Sequence, residues 1–158
     1  MNKVERIEFV ISEFRKADIT IDENQADKFV RLCDFMVEYN ENVNLTSITE
    51  FSEVVVKHFV DSVLPFTMVD IPQGSSFIDV GTGAGFPAIP LLICRPDLKG
   101  TLCDSLNKRC VYLEKACELI GVKSEIIHAR SEELGRKKRE CFDFATARAV
   151  AAMPVLSE

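Results

Sequence analysis

An apolar run leads directly into three closely spaced glycines at residues 76–86, which read SFIDVGTGAGF. The first five of these residues predict a buried β-strand, and Gly81, Gly83 and Gly85 predict a tight loop between that strand and a helix. Glycine adopts positive φ angles and lets a ligand approach the backbone closely. A glycine loop between a strand and a helix therefore indicates a site for a nucleotide-like ligand.

The spacing of the glycines separates one class of ligand from another. Dinucleotide-binding loops read G-x-G-x-x-G, whereas here Gly85 comes one residue early and the bulky Phe86 stands where a small residue is needed. The phosphate-binding pattern G-x-x-x-x-G-K-[ST] is excluded because no Lys follows the glycines. Asp79 would sit poorly beside a pyrophosphate, but it suits a ligand that carries an ammonium group. The loop therefore argues against NAD and ATP.

A second acidic residue stands at the end of the next predicted strand. That strand covers residues 100–104 and ends at Asp104, which lies 23 residues after Gly81. A carboxylate in this position can accept hydrogen bonds from both hydroxyls of a ribose. The D-x-G-x-G-x-G pattern that starts at Asp79 resembles the first motif of class I methyltransferases. This resemblance implies S-adenosylmethionine as the cofactor, with Asp79 near its amino-acid end and the glycines giving it room.

Predicted helices and strands alternate after the glycine loop. Helices are expected at residues 88–94 and 108–119, and strands at residues 100–104, 124–128 and 142–147. Such alternation favours a parallel sheet with right-handed crossovers. The predicted fold class is α/β, a Rossmann-like parallel sheet of the class I methyltransferase type behind an N-terminal helical module. The resemblance to that class implies the strand order 3-2-1-4, in a sheet that is incomplete at its C-terminal end.

Helical periodicity dominates the chain before the glycine loop. Apolar residues recur at helical spacing over residues 4–14. Thr20 and Glu23 have the spacing of a capping box, which predicts the start of a second helix. A third helix is expected to begin near Ser52 and to end before Pro65.

A turn-rich break at residues 70–75 predicts the junction between two units. We expect an N-terminal helical module at residues 1–72 and a partial S-adenosylmethionine-binding α/β domain at residues 73–158. The net charge is −6, but residues 1–50 hold 11 acidic and 6 basic side chains, against 14 and 13 in the rest. The net negative charge argues mildly against nucleic-acid binding. Because the acidic excess is concentrated in residues 1–50, a local basic face remains possible in the rest of the chain.

The composition indicates a globular cytoplasmic protein without a metal site. No apolar run approaches the roughly 18 residues of a membrane span, and the N-terminus is too charged for the apolar part of a secretory signal. The six cysteines include no C-x-x-C pair, and the chain has two histidines, so zinc-ligand spacing is missing. We expect the cysteines to be reduced, packed thiols.

The segment after the fourth predicted strand restricts the chemical classes of group that could accept the methyl group. It reads TARAV at residues 146–150, without the [DNS]-P-P-[YFW] motif of enzymes that methylate exocyclic amino groups of bases. A Pro-Cys nucleophile, which carbon-5 cytosine methyltransferases require, does not occur either. An acceptor that has no proton to remove, such as a ring nitrogen with a lone pair, needs neither this motif nor a cysteine nucleophile. Positioning could then supply most of the catalysis.

Several further motifs occur in a fixed order around the glycine loop. They read NLTS at 44–47, KHFVDS at 57–62, DSLNKR at 104–109, RSEE at 130–133 and ARA at 147–149. Together with the glycine loop and Pro87, this series resembles the bacterial 16S ribosomal RNA guanine-N7 methyltransferase family, RsmG, also called glucose-inhibited division protein B. The resemblance implies methylation of guanine N7 in the decoding region, with 16S ribosomal RNA or the small ribosomal subunit as the partner.

The same resemblance implies a set of site residues. Cofactor contacts are expected at Gly81 and Phe86, at Ser131 and Glu132 near the adenine, and at Arg148. Arg148 is also the expected catalytic residue, because it follows a parallel strand at the carboxyl edge of the sheet, where ligands bind.

Three basic features are candidates for a functional role, and two of them have a second interpretation. The run at residues 135–139 reads GRKKR and is either a phosphate contact or a solvated loop. Lys108 and Arg109 start a predicted helix close to the pocket and are candidates for RNA contact. His58 is either a base or, more in keeping with its spacing, a structural partner of Asp61.

Two departures from the family pattern leave other functions open. The family usually has Trp-Asn where this chain has Tyr39-Asn40. Family members also continue well past the fourth strand, whereas this chain stops at Glu158. The fourth strand would then be an exposed edge that invites self-association. The alternatives are a small-molecule methyltransferase, which the net acidity supports, and an inactive fragment that binds the cofactor.

Overall fold

The computed structural model describes residues 1–130, 133 and 141–147, and a sheet of four parallel strands forms its centre. The strands are β1 (Ser76–Val80), β2 (Lys99–Asp104), β3 (Ser124–His128) and β4 (Phe144–Thr146). Their order, β3-β2-β1-β4, confirms the α/β class and the predicted order. Asp79 on β1 is in register with Leu102 on β2 and with Thr146 on β4. The carboxyl ends of these three strands therefore meet at one edge of the sheet.

The fourth strand is shorter than the predicted range of 142–147. Asp143 is in a bend ahead of β4, where its Oδ2 accepts the Ser76 N–H at 2.7 Å and its own N–H donates to Ser76 O at 3.0 Å. These bonds hold the chain at the amino end of β1 before the ladder begins.

Helical segments make up the N-terminal half and connect the strands. They are α1 (Lys3–Lys16), α2 (Glu23–Tyr39), α3 (Phe51–Val54), α4 (Asp61–Val63), α5 (Ala88–Cys94) and α6 (Asn107–Ile120), with a π-helical segment (Val55–Val60) and a 3-10 turn (Leu64–Thr67). The sequence predicts that α2 is capped by Thr20, and this prediction is wrong. Asp22 is the cap: its Oδ1 accepts the Gln25 N–H at 2.8 Å, and Gln25 Oε1 accepts the Asp22 N–H at 2.9 Å.

The third helix was expected to begin near Ser52 and to end before Pro65, and both are confirmed, because α3 begins at Phe51 and α4 ends at Val63. The 3-10 turn Leu64–Thr67 contains Pro65 in its first turn. Proline is tolerated there because an N–H at the start of a helical turn has no partner within that turn.

Buried residues on both sides of the predicted 72/73 junction belong to one large hydrophobic cluster. Phe29 on α2 lies between Phe14 and Phe59, with ring centroids 4.9 Å away in both cases. Phe59 in turn contacts Phe86 of the glycine loop edge-on at 6.0 Å. The boundary between a helical module and an α/β domain remains a prediction, and the helices pack directly onto the segment that carries the glycines.

None of the six cysteines, all of which lie in the described part of the chain, forms a disulfide bond, and four of them are buried. Burial raises the pKa of the Cys33 thiol to about 12 and that of Cys103 to about 11. Both are therefore protonated near neutral pH and act as packing groups. Within the part of the chain that the structure describes, no helix is both long and apolar enough to cross a membrane.

Candidate cofactor site

The glycine loop lies between β1 and α5 and is held against the neighbouring strand. The N–H of Thr82 donates to Cys103 O on β2 at 3.0 Å. The carbonyl of Thr82 then accepts the N–H groups of Gly85 at 2.9 Å and Phe86 at 3.2 Å. These bonds close a compact turn at the carboxyl edge of the sheet, the place where parallel α/β sheets bind ligands.

Two of the glycines differ in what a side chain would meet. Gly83 has a φ of 58°, and a Cβ built on it has no heavy atom within 4 Å. Gly85 has a φ of 96°, and its Cβ would lie 2.4 Å from Cδ1 and 2.8 Å from Cγ1 of the buried Ile89. The open side of the loop therefore lies at Gly83, while Gly85 allows α5 to pack closely against the loop.

Asp79 is fully buried beneath the loop and contacts three structural elements. Its Oδ2 accepts the hydroxyl of Thr82 at 2.7 Å and the N–H of Ala88 at 3.3 Å. Its Oδ1 accepts the hydroxyl of Thr146 at 3.1 Å. These contacts give Asp79 an internal role, because one carboxylate fixes the loop, the start of α5 and the end of β4. Its contact with a cofactor ammonium group stays a prediction.

Asp104 ends β2 directly opposite the open side of the loop and is 2% exposed. Its Oδ2 accepts the Gly83 N–H at 2.9 Å and its Oδ1 accepts the Leu106 N–H at 3.0 Å. A carboxylate offers about four lone-pair sites, so these two bonds leave an acceptor position on each oxygen. Two such positions match the two hydroxyls of a ribose.

Arg109 links Asp104 to the N-terminal half of the chain. Its Nη1 lies 3.8 Å from Asp104 Oδ1, and its Nη2 donates to the carbonyl of Asn44 at 3.3 Å. Asn40 holds the same segment from the other side, since its Oδ1 accepts the N–H groups of Leu45 at 2.8 Å and Thr46 at 3.0 Å. The segment 44–48, called the 44–48 loop below, therefore adjoins the residue predicted to bind ribose.

His58 connects the 44–48 loop to the glycine loop by a second route. Its Nε2 is 2.8 Å from the Thr46 hydroxyl, and its ring stacks on Phe86 with a centroid distance of 4.6 Å and an interplanar angle of 19°. The π-helical segment carries His58, and the Ser62 hydroxyl donates to the His58 carbonyl one turn later. The described contacts give His58 a structural role at the wall of the site.

Motifs that are far apart in the sequence thus surround one loop. The contributions of Asn40, Thr82 and Thr146 could not be read from the sequence, although Asn40 belongs to the Tyr39-Asn40 pair and Thr82 to the glycine motif. Three predicted site residues, Ser131, Glu132 and Arg148, lie outside the described residues, as does the basic run at 135–139.

Comparison with known proteins agrees with this arrangement. The model of the GidB family, described as rRNA small subunit methyltransferase G, matches residues 25–158. The chain belongs to this family. Proteins named ribosomal RNA small subunit methyltransferase G are 47% identical over 156 residues in Lactobacillus acidophilus and 45% identical over 155 residues in Bacillus subtilis. Each alignment covers 96% of this chain and 65% of the relative, so the chain spans about two thirds of the length of these family members.

A solved structure shows the same fold at low sequence identity. It is described as a protein-L-isoaspartate O-methyltransferase from Plasmodium falciparum in complex with S-adenosyl-L-homocysteine. The match has a TM-score of 0.59 and 14% identity, and it covers 96% of this chain and 77% of the other. The predicted class I methyltransferase fold is thereby confirmed.

Proposed function

We propose that this chain binds S-adenosylmethionine and belongs to an enzyme that methylates N7 of a guanine in the decoding region of 16S ribosomal RNA. The observation that carries the cofactor proposal is the pairing of Asp104 with Gly83 across the open side of the glycine loop. Both oxygens of this carboxylate retain an acceptor position for a ribose diol. The family membership and the names of the relatives support the ribosomal RNA as the acceptor.

The proposed reaction requires the protein to bind and orient the cofactor and the guanine, and it requires no proton transfer. When bound, S-adenosylmethionine would supply a methyl group on a sulfonium sulfur for transfer to guanine N7, with S-adenosylhomocysteine as the leaving group. Asp104 would hold the ribose, and the glycine loop would keep side chains away from the cofactor. N7 carries no proton, so no general base is needed, and alignment of the reactants supplies the main advantage.

The remaining site assignments rest on the sequence. We propose that Ser131 and Glu132 lie near the adenine and that Gly81, Phe86 and Arg148 contact the cofactor, with Arg148 also acting on the reacting groups. The described structure supports a role for Arg148 indirectly: Thr146, two residues earlier, is fixed to Asp79 at the carboxyl edge of the sheet.

Isothermal titration calorimetry with S-adenosylhomocysteine tests the cofactor proposal, and NAD serves as the matched nucleotide control. We expect saturable binding of S-adenosylhomocysteine with one site per chain and no heat of binding for NAD. Binding of NAD with equal or higher affinity, or no binding of S-adenosylhomocysteine by a folded chain, would overturn the proposal.

Location and self-association are further proposals. Ribosomal RNA as the acceptor favours a cytoplasmic protein. β4 is the last strand of the sheet within the described residues, and an outer strand offers unpaired backbone groups to a second chain. Sedimentation equilibrium at several concentrations tests self-association, and a monomer at all of them would exclude it.

A further inference from the structure

The 44–48 loop is attached to the candidate cofactor site by side chains rather than by its own secondary structure. Three side chains hold it: Asn40 binds its backbone, Arg109 donates to its first carbonyl, and His58 contacts the Thr46 hydroxyl. Asn44 and Ser47 are exposed, so the loop forms part of the surface next to the site. Two of its three attachments lead directly to predicted cofactor contacts.

Arg109 makes the shorter of these connections. A guanidinium presents several N–H donors in a planar fork and can serve two acceptors at once. Here one arm faces Asp104 Oδ1 and the other donates to Asn44 O. The Nε atom of Arg109 is buried without a hydrogen-bond partner among the described residues. Asp104 and Asn44 are therefore the contacts that fix the orientation of this guanidinium.

We propose that Arg109 is a positioning residue that couples the order of the 44–48 loop to the occupation of Asp104 by the cofactor. A ligand that fixes the Asp104 carboxylate also fixes the arm of Arg109 that faces it, and through the other arm it stabilises the loop. The coupling is reciprocal, because a loop that is already ordered holds Arg109 and Asp104 ready for the ligand. The inference rests on the proposed function for the identity of that ligand.

The route through His58 supports the same inference independently. Thr46 Oγ1 accepts the Ile48 N–H at 3.0 Å and contacts His58 Nε2, and the His58 ring stacks on Phe86. Movement of the glycine loop around a ligand would therefore change the position of His58 and, through it, its contact with Thr46. The 44–48 loop is linked to both the Asp104 side and the Phe86 side of the candidate site.

The first arm of the test needs no ligand. Hydrogen exchange of the Leu45 and Thr46 amides, which donate to Asn40, is measured in the parent chain, in Arg109→Ala, in Asp104→Asn and in the double variant. We expect each single variant to speed up exchange roughly threefold to tenfold, the scale of one weakened charge-assisted hydrogen bond. The double variant should show no further increase, because both changes cut the same link.

Lys108→Ala is the matched control, since it removes a positive charge at the exposed position next to Arg109. It should leave exchange at Leu45 and Thr46 unchanged. Equal exchange in the parent and in a folded Arg109→Ala variant would overturn the proposal, and so would fully additive effects of the two single changes.

The second arm follows the loop as the cofactor site is filled. The chain has no Trp, so Ser47→Trp places a single fluorescent reporter at an exposed position of the loop. We expect saturating S-adenosylhomocysteine to change its emission in the parent background. In Arg109→Ala the ligand should bind roughly threefold to tenfold more weakly, and the emission change at saturation should be largely lost.

Arg109→Lys keeps the charge but has one compact ammonium in place of a fork, so the loop signal should stay lost while affinity recovers in part. An undiminished emission change in Arg109→Ala at saturation would contradict the coupling. If exchange in the first arm changes as expected and the parent chain does not bind S-adenosylhomocysteine, the proposed function fails and the link between Asp104 and the loop stands.

Discussion

The hydroxyl of Thr146 donates a hydrogen bond to Oδ1 of Asp79 across 3.1 Å, joining the end of β4 to the residue beneath the glycine loop. Asp79 is fully buried and Thr146 is 7% exposed. A hydrogen bond to a buried carboxylate is stronger than a neutral one, because water does not compete for it. The glycine loop and the strand that precedes Arg148 are therefore held at a fixed distance by two side chains.

Replacement of Thr146 should destabilise the protein. Thr146→Val keeps the shape but removes one donor from Asp79, and we expect the free energy of unfolding to fall by about 1.5–3 kcal/mol, the usual contribution of a hydrogen bond to a charged group. Thr146→Ser keeps the hydroxyl and serves as the control. Urea denaturation measures both, and a valine variant as stable as the parent would refute this role.

Alanine at the two glycines should have unequal effects on stability. Gly83→Ala meets no neighbouring atom and is expected to cost only the left-handed backbone penalty, about 1–2 kcal/mol. Gly85→Ala adds a clash with the buried Ile89, and overpacking of this kind typically costs about 1–3 kcal/mol more. Chemical denaturation of the two variants checks the order. Equal losses, or a larger loss at Gly83, would show that the loop packs differently.

Asp104→Ala should weaken the binding of S-adenosylhomocysteine by roughly 1–3 kcal/mol, since hydrogen bonds to a charged acceptor are lost. Glu114→Ala removes an exposed carboxylate from the middle of α6 and is the control. Calorimetry gives both affinities. An Asp104→Ala variant that is folded and binds as tightly as the parent would exclude this residue as the ribose acceptor.

Asp97 should contribute to acid sensitivity. Hydrogen bonds from Arg95 and from the Gly74 N–H lower the pKa of the Asp97 carboxyl in the folded chain. A carboxyl with a lowered folded pKa stabilises the fold above its unfolded pKa, about 3.9, and loses this contribution as the pH falls below that value. The stability difference between the parent and Asp97→Asn should therefore shrink as the pH falls from about 4 towards about 2. Urea denaturation at several pH values measures it, and a constant difference would contradict the assignment.

The sheet was predictable because its strands are short apolar runs bounded by turn signals. The strands at 76–80 and 124–128 have the predicted bounds, since Gly81 follows the first strand and Lys123 precedes the second. The cap of α2 was misplaced because Thr20–Glu23 and Asp22–Gln25 both satisfy the spacing of a capping box, and only the three-dimensional path of the chain selects Asp22.

Long-range polar contacts in the site could not be predicted in the same way. Asp79 was recognised from its position before the glycines, yet its bond to Thr146 joins residues 67 positions apart. No local pattern encodes such a pair, because it depends on the pairing of β4 with β1. The link from Arg109 to Asn44 spans 65 positions and likewise depends on how the helices pack against the sheet.

Methyl transfer to guanine N7 of 16S ribosomal RNA is the proposed activity, and nucleoside mass spectrometry detects its product in the cell. The measurement compares 16S ribosomal RNA from cells with and without the intact gene that encodes this chain. We predict one 7-methylguanosine in the decoding region that disappears with the gene and returns when the gene is restored. An unchanged 7-methylguanosine level, or loss of a methyl group from an exocyclic amine or from carbon 5 of a base instead, would exclude this activity.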